Sequence, residues 1–102
     1  DVYKRQKQDH NYRDYLEFIE ILSPLKSILE MSSMFRGQNL NFERESQVKD
    51  ANQQLKFIWK ICSSLCYDIE LQQKMFSETS SSGLMRICIE CAEELSSRMD
   101  EE

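Results

Sequence analysis

Apolar residues recur every three or four positions along most of the chain. That is the spacing of one face of a helix, and it differs from the strict alternation of a half-buried strand. The first such stretch, YLEFIEIL, places Leu16, Phe18, Ile19 and Leu22 at helical intervals and predicts a helix over 11–22. Ser23-Pro24 comes next. Proline suits the first position of a helix and serine caps well just before it, so a second helix is expected over 24–35, meeting the first at a sharp corner. A single kinked helix is the alternative. The second helix carries Leu25, Ile28, Leu29, Met31 and Phe35 and closes at Arg36-Gly37, where glycine can take the left-handed cap.

The stretch GQNLNFERES (37–46) reads as a connector. A long helix is expected over 46–67, with Val48, Ala51, Leu55, Ile58, Cys62, Leu65 and Ile69 spaced alternately by three and four, the pattern of a heptad seam. Trp59, Ile61 and Cys66 stand where a two-stranded coiled coil usually carries charge, and Phe57 widens the apolar surface. A helix so apolar around its circumference is packed on more than one side. A short helix over 69–77 with Leu71, Met75 and Phe76, a serine-rich connector SETSSSG (77–83), and a last helix using Leu84, Ile87, Cys88, Cys91, Ala92, Leu95 and Met99 complete the pattern. With two glycines and one proline in 102 residues, the turns of a β-rich fold are not supplied. The fold class expected is all-α with about five helices, either a piece of an armadillo-like α-solenoid or an irregular helical bundle.

Composition narrows the function classes. Net charge is −5, which repels phosphate backbones and argues against nucleic-acid binding. No apolar run reaches the roughly 18 residues of a membrane span, and a cytoplasmic location is expected. Two glycines leave no phosphate-cradling loop. The opening hexapeptide DVYKRQ translates a codon string resembling the transposase end sequence used as an adapter in sequencing libraries. Residues 1–6 are therefore expected to be a scar, followed by a single helical domain, or a fragment of a longer solenoid, over 7–102.

Few residues suggest chemistry. Cys62 and Cys66 are four apart, and Cys88 and Cys91 three apart, spacings that close pairs of zinc ligands also use. All four lie on apolar helical stripes, and CSSLC and CIEC lack the glycine or proline of a metal knuckle. They are expected to be small buried core residues, with no metal and no cofactor. His10 stands in a polar lead-in with no nucleophile beside it and reads as solvated. Glu17, Glu20, Glu90, Glu93 and Glu94 read as surface carboxylates rather than paired acid and base. No catalytic residue is expected. Trp59, the one tryptophan, with Phe57 and Ile61, is the candidate for anchoring a partner, since aromatic residues dominate binding hot spots; core packing is the competing role.

The stretch LKFIWKICSSLCYDIELQQKMFSETSSSGLMRICIEC (55–91) resembles an armadillo-type repeat. The matching positions are Leu65, Cys66 and Tyr67 at a helix-ending turn, Gln73 in the short helix, and Gly83, Leu84 and Ile87 opening the next. With Glu78 and the late Cys91, it looks most like the C-terminal armadillo domain of the ataxin-ten family. A weaker likeness, centred on LKFIWKIC, is to the helical solenoid regions of intracellular calcium-release channels. The resemblance implies no chemistry. It implies stacked helices that present a surface to segments of other proteins. The expected function is protein–protein interaction or scaffolding. An oligomerising helical bundle is the alternative, and a cysteine-based metal-binding module the less favoured one.

Overall fold

The computed structural model describes residues 8–65 and 68–100. The hexapeptide read as a scar, Cys66 and Tyr67 lie outside them. Helix α1 spans Tyr12–Leu22 and runs through a 3-10 turn, Ser23–Leu25, into α2, Lys26–Phe35. A single-turn α3 (Phe42–Glu45), α4 (Ala51–Leu65), α5 (Ile69–Ser77) and α6 (Ser81–Asp100) follow. The described residues thus hold five helices of nine residues or more and no strand, as the apolar spacing predicts.

Helix ends fall where side chains can satisfy orphan backbone groups. Asn11 and Asp68 cap α1 and α5, accepting from Asp14 N and Leu71 N at 2.8 Å each. Asp50 Oδ2 accepts from Gln53 N, so α4 starts at Ala51 and not at 46. In the stretch read as a connector, Asn41 accepts from Arg44 N while Glu45 reaches back to Asn41 N at 2.6 Å. This reciprocal pair, with Phe42 buried beneath it, nucleates α3. A 3-10 turn at 23–25 separates the two expected helices, but Ser23 does not cap: its hydroxyl donates back to Ile19 O, and Pro24 occupies the 3-10 turn. Gly37 takes φ 75° as expected. Gln38 N donates to Ser33 O and Gly37 N to Met34 O, the double bond of a left-handed C-cap.

Helix α6 begins at Ser81, inside the expected serine-rich connector. Ser80 Oγ accepts from Gly83 N and donates to Glu78 Oε1, which also accepts from Thr79 N and Ser80 N. A Cβ on Gly83 would sit 2.1 Å from Glu78 Cδ. The Glu78 carboxylate folded over Gly83 takes the space of a Cβ, while an alanine would suit the helix better by up to roughly 1 kcal/mol. Gly83→Ala in the native chain should gain little, because the carboxylate must leave its partners. In a Glu78→Ala background it should stabilise by roughly 0.5–1 kcal/mol. Urea unfolding of the four members of that cycle checks this, and equal effects in both backgrounds would disprove it.

Helices α4 and α6 run in the same direction. Gln54 and Ser81 lie at one end, bridged by His10; Ile58 and Cys88 meet in the middle; Leu65 and Cys91 share a cleft towards the other end. α2 packs on α4, and α1 packs on α6, so the first long helix meets the last. The core is one contiguous cluster that includes Tyr15, Phe18, Leu22, Leu29, Leu55, Phe57, Ile58, Ile61, Leu84 and Cys88. A radius of gyration of 12.7 Å fits a folded domain of this length, for which about 13 Å is usual. Of the supposed heptad seam, Leu55, Ile58, Cys62 and Leu65 are buried, whereas Ala51 and Ile69 are exposed. The seam fails at its ends because α4 is only 15 residues long.

Candidate functional site

Cys62 and Cys88 are fully buried and Cys91 nearly so. Cys88 Sγ lies 2.9 Å from Cys62 Sγ, and Cys62 Sγ lies 3.6 Å from Leu84 O. Among the described residues no group of three or more His, Cys, Asp or Glu side chains converges as metal ligands would. The carboxylates Glu17, Glu20, Glu90, Glu93 and Glu94 are exposed; three of them pair with Arg13, Lys74 and Arg98 on the surface, where such pairs contribute little.

His10 corrects the sequence reading. It is half-buried rather than solvated, and it closes the N-terminal end of α6. Its Nδ1 lies 2.6 Å from Ser81 Oγ, its backbone N donates to the same oxygen at 3.2 Å, and its Nε2 lies 2.9 Å from Gln54 Oε1. The Gln54 amide is oriented by donating Nε2–H to Val48 O, so Oε1 faces the ring and His10 Nε2–H donates to it. Asp9 Oδ1 accepts from Ser82 N at 3.0 Å and from Ser81 Oγ at 3.2 Å. The Ser82 backbone bond, opposed by partial burial and aided by the Ser82 and Ser81 side chains, holds the Asp9 carboxyl below its ordinary range. Residues distant in sequence thus cap α6. The Asp9–His10–Ser81 trio differs from a nucleophilic triad in two respects. The carboxylate reaches the serine instead of the far ring nitrogen, and Ser81 has no solvent exposure. Beside it the Tyr15 phenol donates to Ser46 O at 3.1 Å; burial, with Tyr12 adding to it, pushes that phenol well above its usual value.

The partner-anchoring candidates fall in different places. Phe57 and Ile61 are core residues, 3% and 0% exposed, and present no surface to a partner. The breadth of the apolar face on α4 is explained by its being enclosed by other helices. Trp59 is half-buried, with Phe76 edge-on at 5.6 Å. The exposed large apolar side chains are elsewhere: Met31, Met34 and Phe35 on α2, Ile69 and Phe76 on α5, and Tyr12, Leu16 and Ile21 on α1.

An apolar cleft of about 150 Å³ opens between α2, α5 and α6, with the end of α4 as its floor. Ile28, Leu29, Leu65, Leu71, Cys91 and Leu95 line it, and Glu94 and Arg98, paired at 2.7 Å, stand at its edge. Its serine hydroxyls are engaged within the wall: Ser32 Oγ donates to Ser64 O at 3.0 Å, and Ser64 Oγ donates to Lys60 O at 3.1 Å. On α2, Met31 and Phe35 follow Ile28 at three and seven residues, which carries the apolar lining out onto open surface. Spacing alone could not separate these positions from core. The available signal was that α2 ends in Met34-Phe35 with no charge in its last turn. Compared with protein-family models, with curated proteins and with solved structures, the chain matches none.

Proposed function

We propose that the chain is a non-catalytic protein-binding module, a scaffolding segment of the α-solenoid kind acting in the cytoplasm. The observation that carries the binding reading is the exposed apolar surface of α2, where Phe35 is 83% and Met31 54% exposed, on the helix face that Ile28 carries into the cleft. Apolar area of this kind on a folded domain commonly marks an interaction site. The solenoid reading draws on the parallel course of α4 and α6 with the short α5 between them, the succession that stacked repeats produce. Among the described residues, no helix is long and apolar enough to cross a membrane.

A second reading rests on a different observation. In an open solenoid each unit touches only its neighbours, whereas α1 here packs on α6. That closure favours a self-contained bundle that associates through the same α2 surface. One experiment separates the two. Phe35→Ser should change stability by less than about 0.5 kcal/mol, the range for exposed positions. A photo-reactive phenylalanine analogue at position 35 should give discrete adducts with other proteins in cell extract, while the same group at Arg13 gives none. Adducts only of twice the chain's mass, with a concentration-dependent sedimentation coefficient that Phe35→Ser abolishes, would establish the bundle reading. No adducts, with a monomer at all concentrations, would remove both.

A further inference from the structure

The contact between Cys62 and Cys88 is the one place among the described residues where two reactive side chains from different helices touch inside the core. The two are 26 positions apart in sequence and 2.9 Å apart at sulfur. Neither is exposed. Each sulfur also nears the backbone of the opposite helix, Cys62 Sγ at 3.6 Å from Leu84 O and Cys88 Sγ at 3.9 Å from Ile58 O. We propose that Cys62 and Cys88 form an oxidative latch, a dithiol under reducing conditions that hydrogen peroxide converts to a disulfide tying α4 to α6. One sulfur, as thiolate, attacks the peroxide O–O bond, giving a sulfenic acid and one water. The second sulfur then displaces the hydroxyl as another water. The Sγ–Sγ bond forms, two S–H bonds and the O–O bond break, and two electrons pass from sulfur to peroxide. An added dithiol reverses the reaction by exchange.

Geometry selects this pair over Cys88 with Cys91. Cys91 is one helical turn beyond Cys88 on the same helix, so joining those two would require unwinding it, whereas Cys62 and Cys88 face each other across a helix–helix contact and need only a small closure. Because both thiols are enclosed, the reaction rate follows local opening of the α4–α6 contact, and the latch closes slowly in native conditions and faster in mild denaturant. Cross-linking residues this far apart restricts the unfolded chain, so the closed form melts higher by on the order of 10 °C.

The test uses the full chain, first reduced and then treated with hydrogen peroxide while folded. Non-reducing peptide mapping should show the Cys62 and Cys88 peptides joined with loss of two hydrogens, and thermal melting should shift upward and return after dithiothreitol. Cys66→Ala and Cys91→Ala should keep both effects, and Cys62→Ala and Cys88→Ala should lose both. Because the map is read on the unsubstituted chain, it decides the matter even where an alanine variant does not fold. A linkage between other cysteines, conversion to sulfinic acid without a linkage, or thiols that react only after unfolding would each overturn the proposal.

Discussion

Phe57→Ala should remove about 3–5 kcal/mol of stability, whereas Trp59→Ala, two positions along the same helix, should remove much less. Phe57 sits edge-on to Phe42 at 5.5 Å and to Tyr15 at 6.4 Å, so one ring joins α4 to α3 and α1. Truncating it removes its buried area, leaves a cavity under α3, and ends two aromatic contacts, a loss of about 3–5 kcal/mol. A domain of this size has a total stability of about 5–15 kcal/mol, so the loss is a large part of it. Trp59 is half-buried, and its ring neighbour Phe76 is itself 57% exposed, so the protein can relax around the gap and the expected cost is about 1–2 kcal/mol. Urea denaturation followed by circular dichroism measures both. Equal losses would mean that α4 does not present different sides to core and surface as described.

The contrast between these two aromatics marks what the sequence could and could not convey. Helical spacing located five helices and the glycine cap at Gly37, because both are local: each needs only the residues within one or two turns. The same spacing made Leu16, Met31 and Phe35 look like core and left Tyr15 unremarked, yet Tyr15 is enclosed and Phe35 is almost bare. Which side of an apolar helix is covered depends on neighbours that arrive from elsewhere in the chain, and α4, flanked by α2 and α6, buries Phe57 and Ile61 while Lys56 stays exposed. Cys62, Cys88 and Cys91 were legible as core because their positions matched the stripe. That Cys62 would touch Cys88 was not, since it depends on the register of two helices. His10 was misread for the same reason. Its partners, Gln54 and Ser81, are 44 and 71 positions away.

Replacing Ser81 with Ala should cost about 1–3 kcal/mol, more than removal of a serine at a helix start usually does. The hydroxyl is fully buried and meets His10 N, His10 Nδ1 and Asp9 Oδ1. Its loss leaves half-buried polar atoms of His10 without this partner, and such groups carry much of the cost of their lost hydration. Asp9 gives the clamp a signature in pH. Its folded carboxyl lies below the ordinary value because Ser82 N–H donates to the charged form. A carboxyl depressed in the folded state contributes fully above its unfolded value, and that contribution disappears as pH falls through the lower folded one, from around pH 4 downward. Glu45 adds a second acid limb. Burial acts to raise its carboxyl, but bonds from Lys60 at 2.8 Å and from Asn41 N, with the Lys60 and Arg44 charges, outweigh it and leave it lowered. The informative quantity is therefore the difference between the native chain and Asp9→Asn, which keeps an acceptor for Ser82 N but cannot titrate. Because Asp9 is exposed, that difference is small and shrinks with added salt. Denaturation midpoints from pH 7 to pH 2 should show the native chain more stable than Asp9→Asn near neutrality and the two converging in acid. Parallel curves over that range would mean that the N-terminal segment does not clamp α6, and a Ser81→Ala variant as stable as the native chain would carry the same meaning by an independent route.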